Sequence, residues 1–348
     1  MVAKLEANGL RPAWFAVAIT VLLGALVLGV LTGPVSLQLG PTLVDLLDRV
    51  PFVDLSSGLS DQQSAILWHL RVPRVVLAGL VGGMLAVAGS AYQGVFRNPL
   101  ADPYLLGVAA GAGLGVTIAI AVAPSVRTWP VDPLPPAAFA GALLGVFMTY
   151  VLGRTNARGR TTASLILAGV ATASFLTALQ TYLQQREDDT VRQVYSWILG
   201  RLTTASWKEV FLVLPYLVVS AVVIVLHRRL LDILSVGDEE AASLGVNTNR
   251  VRFLIVVAAS LGTAAAVSVS GLIGFVGVIV PHTVRMLFGG SYRSIVPLSI
   301  TFGASFLIVA DLVGRTIIAP AEIPIGVITA ALGAPFFMVV LRKSARSM

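Results

Sequence analysis

Cysteine is absent from the 348 residues, so disulfides, thiolate catalysis, iron–sulfur ligation and cysteine-based zinc sites are all excluded for this chain. Charge is scarce as well. Only 12% of residues are Asp, Glu, Lys or Arg against 56% hydrophobic, and the mean hydropathy is +0.88. Soluble domains carry about twice that share of charge. Lysine occurs only at Lys4, Lys208 and Lys343, and none follows a glycine, so the Gly-Lys-Ser/Thr end of a phosphate-cradling Walker loop cannot be built. Histidine is limited to His69, His227 and His282, far apart and outside any HExxH pattern, which leaves no cluster with metal-ligand spacing. Neither ATP hydrolysis nor metal-dependent catalysis is therefore expected of this chain, and it reads as a non-enzyme. The formal charge of +7 comes without an RNA- or DNA-reading motif, so no nucleic-acid partner is expected.

What fills the chain instead is apolar runs of about 20 residues, each long enough to cross the hydrocarbon core of a bilayer. The first, Pro12 to about Leu31, follows Lys4 and Arg11. It is too long for a secretory signal and has no small-x-small cleavage site, so it reads as an uncleaved first span. Further spans are expected at 74–95, 104–123, 134–153, 162–183, 208–227, 251–269, 272–288, 295–313 and 324–341, ten crossings in all, with turns marked by Pro, Gly and Asn. The fold class is thus all-α and polytopic, a single membrane domain over 1–348 with both termini on one side. Most Lys and Arg, among them Arg97, Arg154, Arg158, Arg160, Arg228, Arg229, Arg250 and Arg252, fall on that side. Most carboxylates, including Asp45, Asp48, Asp54, Asp61, Glu187, Asp188 and Asp189, fall on the other. Basic residues resist translocation, so the termini are expected in the cytoplasm and the chain in the inner membrane, surrounded by lipid. Small residues crowd Gly79 to Gly83, Gly107 to Gly115 and Gly262 to Ser270, where helix backbones can approach closely.

The turn between the sixth and seventh spans, Val236-Gly-Asp-Glu-Glu-Ala-Ala-Ser-Leu-Gly245, reads as a short helix inside a cytoplasmic loop at 236–249. Asp238 is expected to cap it, Glu239 and Glu240 to favour its positive end, and Gly245 to supply a left-handed stop. So short a helix needs a tertiary contact to persist in water. Asn98-Pro99 reads as a turn, Thr161-Thr162 as a helix cap, and Arg315 has Asp311 one helical turn away. The span centres contain no carboxylate or histidine, Asp311 and Glu322 lying near the ends of their helices. That weighs against the alternative of an ion-coupled secondary transporter, which needs a titratable site inside the membrane.

Arg71-Val-Pro-Arg74, Gly89-Ser-Ala-Tyr-Gln93, Arg97-Asn-Pro-Leu-Ala-Asp-Pro103 and Leu106-Gly107 resemble the signature of the FecCD permeases. The resemblance continues through Gly271-Leu-Ile-Gly-Phe-Val-Gly-Val-Ile-Val-Pro-His-Thr-Val-Arg285, Ala310-Asp311 with Arg315, Glu322-Ile-Pro-Ile-Gly326 and Gly333-Ala-Pro-Phe336. It implies the permease subunit of an ABC importer for a metal chelate, iron-siderophore or haem ahead of vitamin B12. The implied partners are a second copy of this chain, two ATP-binding cassette subunits and a substrate-binding protein on the outer face. No cofactor or metal is implied on this chain, ATP and magnesium belonging to the partner subunit. The resemblance also implies an inverted repeat of spans 2–5 and 7–10. Carried onto this sequence, it makes Asp238, Glu239, Glu240, Ala241, Ala242, Ser243, Leu244 and Gly245 the ATPase-coupling segment, and Arg71, Arg74 and Arg315 the docking groups for the binding protein. It puts an inner gate at Asn98, Leu100, Thr161 and Thr162. Arg201 stands where serine is common among relatives and is expected on the path near the outer mouth; Ala163 lacks a hydroxyl that some relatives have.

Overall fold

The computed structural model describes residues 11–33, 35, 37–49, 58–122, 132–153, 162–185 and 188–345. Among them no strand occurs. The helices are α1 (Pro12–Leu31), α2 (Leu39–Asp48), α3 (Asp61–Ile66), α4 (Val72–Phe96), α5 (Val108–Val122), α6 (Leu134–Gly153), α7 (Thr162–Gln184) and α8 (Asp188–Ile198). They continue as α9 (Trp207–Leu226), α10 (Arg228–Val236), α11 (Asp238–Ser243), α12 (Thr248–Ser270), α13 (Val276–Phe288), α14 (Tyr292–Thr316) and α15 (Ile325–Ala345). Seven helices are long and apolar enough to cross a membrane, and three shorter apolar ones, beginning at Val108, Val276 and Ile325, join them. These fall on the ten expected spans.

Local chemistry sets the boundaries. Ser60 and Gln63 form a capping box at α3, and Ser206 with Glu209 does the same at α9. Asn247 and Ser291 cap α12 and α14 by accepting from the backbone N–H of Arg250 and Arg293. Between α3 and α4 the helix widens into one π turn, Leu67–Arg71, directly before Pro73. Proline has no N–H to give and crowds the carbonyl four residues back, so the wider turn lets the helix run on.

Two expected spans start later than the apolar runs do. The run at 104 opens with a 3-10 turn, Pro103–Leu106, capped by Asp102 and ended by the left-handed Gly107 (φ 78°), so α5 begins only at Val108. The run at 272 opens unwound from Gly271 to the left-handed Phe275. Tyr104 satisfies this unwound backbone: its hydroxyl accepts from the N–H of Ile273 and donates to its carbonyl, both at 3.0 Å. With no water in the bilayer core, an unwound stretch persists only where the protein supplies such partners.

Helix α4 is the axis. Its apolar stretch is 83% buried where that of α1 is only 22% buried, and it packs against α14, α12, α13, α9 and α10. The outer helices turn large apolar side chains outward, as at Leu28, Phe147, Leu167 and Phe211, the surface a lipid environment selects. Close contact of α4 with α14 depends on Gly82, where a β-carbon would run into the carbonyl of Gly303 and the side chain of Leu307. Gly111 meets Gly141 in the same way between α5 and α6.

Gly82→Val should therefore cost about 1–3 kcal/mol or more through overpacking. We expect it to abolish a monodisperse peak in detergent size exclusion. Gly24→Ala, where nothing lies within 4 Å of the added methyl, should elute like the parent. A Gly82→Val chain as monodisperse as the parent would refute this packing.

Candidate functional site

Polar groups gather at the two ends of α4. At its N-terminal end stand Arg71, Arg74 and Arg315, the expected docking groups, and the structure turns all three inward. Arg71 donates from Nη1 to the carbonyls of Val30 at 3.0 Å and Leu31 at 2.8 Å, and from Nη2 to that of Val35. Arg315 donates to the carbonyl of Gly29. Both guanidinium groups thus cap the C-terminus of α1, which has no basic residue of its own in its last turn, and they meet the negative end of its dipole. Arg74 grips Asp311 through Nε and Nη2 at 2.7–3.0 Å and Glu322 through Nη1 and Nη2 at 2.8–2.9 Å. Arg315 lies 3.6 Å from Asp311.

Asp311 itself is 3% exposed and sits in the last two turns of α14, near the helix end as the sequence reading has it, but buried. Two arginines meet it, Arg74 by hydrogen bonds and Arg315 across the longer distance. Glu322, in the connection between α14 and α15, has its carboxyl held below the usual range, first by the hydrogen bonds from Arg74. Within this charged cluster the Arg74–Glu322 pair is the part that reaches outward, with side chains 15% and 32% exposed.

Arg201 belongs to this end as well. The connector from α8 to α9 is stitched to its neighbours by the Arg201 N–H donating to Ser270 at 2.8 Å and by Gly326 donating to Leu199 at 3.0 Å. The Arg201 side chain is half-buried. Trp207 ties the start of α9 to the carbonyl of Trp68 at 2.9 Å.

At the C-terminal end of α4 lies the short helix α11. Its stop is the one expected: Gly245 has φ 78°, its N–H donates to Ala242, and Val246 donates to Ala241, the paired bonds of a Schellman motif. Its start is not the one expected. Gly237 occupies the cap position, and Asp238 uses its carboxylate elsewhere, accepting from Arg252 of α12 at 2.9 Å with Arg97 at 3.6 Å. The Glu240 carboxylate folds back over Gly237, filling the space a β-carbon there would need. Ala241 is buried, while Glu239, Glu240, Ala242, Ser243, Leu244 and Gly245 project, with Leu244 68% and the preceding Val236 64% exposed. Helix α10 is fastened below by Asp232, which accepts from Ser291 and from the N–H of Tyr292.

Beside α11 is the turn after α4. Asn98 accepts from the N–H of Leu100 through Oδ1 at 2.9 Å and from Ala101 through its carbonyl at 3.1 Å, and Leu100 is half-exposed. Thr161 and the side chain of Thr162 lie outside the described residues, so their expected place beside Asn98 has no structural counterpart here. Of the partners of Asp238, Arg252 was not singled out by the sequence beyond its charge sign, and Arg97 entered only as the first residue of a signature motif, without a role. His282 lies edge-on to Phe336, and Arg285 donates to the Tyr292 hydroxyl at 2.9 Å. Among the described residues no group of three or more His, Cys, Asp or Glu is placed to hold a metal ion.

The profile of the FecCD transport family matches residues 19–343. The cobalamin import system permease protein BtuC of Halobacterium salinarum is 42% identical over 289 residues, covering 83% of this chain and 76% of that protein. The Fe(3+)-citrate import system permease protein YfmE of Bacillus subtilis is 37% identical over 83% of this chain and 85% of its own length. The hemin transport system permease protein HmuU of Yersinia pestis is 38% identical over 80% and 84%. Among solved structures, a metal-chelate type ABC transporter in an inward-facing conformation superposes with a TM-score of 0.82 at 28% identity. That match spans 96% of this chain and 100% of that one.

Two outcomes follow from the cluster at the start of α4. Asp311→Asn leaves the buried Arg315 guanidinium without a carboxylate and Arg74 with Glu322 alone, and should destabilise by about 3–5 kcal/mol, read as a lower apparent melting temperature in detergent. Glu322→Gln, at a part-exposed pair, should cost less than about 1 kcal/mol. Equal losses would contradict the burial of Asp311. The lowered Glu322 carboxyl also sets a pH dependence. Its stabilisation is fully present above the unfolded value near 4.3 and is lost as pH falls through the lower folded value. The melting temperature of the parent should drop more steeply than that of Glu322→Gln between about pH 5 and pH 3, and parallel curves would contradict the pairing.

Proposed function

The chain belongs to the FecCD transport family, and on that premise we propose that it is the membrane-spanning permease subunit of a binding-protein-dependent ABC importer for a metal chelate. One observation carries this reading: α11 projects Glu239, Glu240, Ala242 and Leu244 as a mixed acidic and apolar knob on a rigid, capped helix anchored through Asp238. A single exposed turn of helix has too few internal hydrogen bonds to hold its shape without anchoring. Here the anchoring is present and the outward face is free, the arrangement a lever needs if it is to seat in a groove on a separate ATPase. In this reading nucleotide-driven closure of two such ATPases moves α11, and with it α10 and α12, in a dimer of this chain. The energy comes from the partner, because this chain has no phosphate-binding loop of its own.

The outer end receives a substrate-binding protein, through Arg74 and Glu322 as the members of the cluster that reach the surface. Arg71 and Arg315 support that docking from beneath by fixing α1 and α14. The Asn98–Leu100 turn, with Thr161 and Thr162, forms the inner gate, and Arg201 lies on the path near the outer mouth. Both termini then share the cytoplasmic side with α11, the membrane is the inner one, and the ten apolar helices all cross it, with spans 2–5 and 7–10 as inverted repeats. The cargo is a chelate of iron, such as a siderophore or haem complex, or a corrinoid. Since such a metal stays wrapped in its ligand, the permease needs no metal-binding cluster.

The test is to purify the chain with its co-expressed ATPase, reconstitute both in liposomes with the candidate binding protein, and follow ATP hydrolysis as the chelate is varied. Co-purification and cargo-stimulated hydrolysis are expected. Glu240→Lys and Gly245→Pro should each weaken ATPase binding about tenfold or more, roughly 1.4 kcal/mol. Uptake driven by a proton or sodium gradient with no ATPase bound would overturn the proposal in favour of a secondary transporter.

A further inference from the structure

The residue that ends α4 is in an unusual place for an arginine. Arg97 has φ 51°, its N–H donates to Gly94, and Asn98 donates to Gln93, so it fills the left-handed position of a Schellman motif, where glycine fits without strain. A residue with a β-carbon stays in that conformation only when its surroundings hold it there. What the arginine adds is its side chain, which reaches Asp238 at the first position of α11.

Asp238 Oδ1 receives two guanidinium groups unequally. Arg252 Nη2 lies at 2.9 Å with a side chain 7% exposed, whereas Arg97 Nη2 lies at 3.6 Å with a side chain 40% exposed. The short, buried arm binds α11 firmly to α12. The longer, exposed arm contributes little to stability by itself, so its contact leads from α11 to the end of α4 without being what holds α11 in place. Beyond Arg97 the chain is stiff: Asn98 accepts from both Leu100 and Ala101, so the turn moves as one piece with the residue before it.

We propose that Arg97 is a positioning residue that transmits movement of α11 to the Asn98–Leu100 turn, with Asp238 as the pivot between them. The inference rests on the reading of α11 as the ATPase-docking segment. Docking tilts α11, the Asp238 carboxylate moves with its first turn, and the pair with Arg97 draws the end of α4 and the attached turn along. Arg252 holds the pivot to α12 throughout, so one docking event acts on two helices.

Because the chain contains no cysteine, single introduced cysteines can be labelled without further changes. Environment-sensitive fluorophores on Leu100→Cys and Ser243→Cys, both at exposed positions, report on the turn and on α11 separately. The full complex with its ATPase is reconstituted and a non-hydrolysable ATP analogue added. In the parent background both labels should respond. With Arg97→Gln the label at 243 should respond as before, while the response at 100 falls about fivefold or more, a loss typical of a broken coupling. Uptake should fall with it, and Arg97→Lys, which keeps the charge, should restore part of both. An undiminished response at 100 in Arg97→Gln would overturn the inference. A label at 243 insensitive to nucleotide in the parent would instead overturn the docking reading beneath it.

Discussion

A bilayer offers no water to a buried polar group, and the architecture depends on α4 meeting that constraint at both of its ends. Twenty-five residues long, it runs about 37 Å through the bundle. Its N-terminal end carries Arg74, neutralised by Asp311 and Glu322, and its C-terminal end carries Arg97, facing Asp238. Between them its side chains are almost all apolar or small and buried against the surrounding helices. Few polar contacts interrupt this stretch, among them the Tyr92 hydroxyl with Ser260 of α12 at 2.6 Å. A helix so placed is hard to move sideways but can transmit displacement along its length.

The same constraint explains how the bundle tolerates broken elements. The unwound stretch from Gly271 to Phe275 and the 3-10 turn at Pro103–Leu106 leave backbone groups outside regular ladders, and Tyr104 joins one to the other. Gly277 makes room for Pro103, so the connection after α4 rests against the start of α13. These joins couple the first half of the chain to the second, as Arg74 does to Asp311 at the other end of α4. The permease reading needs that coupling, since alternating access requires the halves to move in concert around one path.

Arginine serves two different purposes here. At Arg71 and Arg315 the guanidinium fork caps α1, meeting backbone carbonyls that a lysine, with its compact point charge, would satisfy less completely. At Arg97 and Arg252 it shares one carboxylate between two helices and the docking segment. The first use fixes a wall of the bundle; the second links a surface helix to the interior. Sequence position separates the two pairs by side, but it does not show what each guanidinium meets.

The all-helical, multi-pass class, the family and the short helix at 238–243 were legible in the sequence. Run length, cap chemistry and motif order are local properties that no distant contact has to complete. The left-handed stop at Gly245 is of that kind, since only glycine takes φ 78° there without strain. The partners of the charges were not legible. Arg74 finds Asp311 across 237 residues, and Asp238, read as a cap, turns to arginines on two other helices because they offer full charge where the backbone offers a partial one. The late starts of α5 and α13 escaped for a related reason. Their unwound leaders are as apolar as helix, and only the Tyr104 hydroxyl, brought in by the fold, lets that backbone stay open. Composition thus determined the solvent and the elements, while the tertiary structure decided which buried charge and which open backbone each element would satisfy.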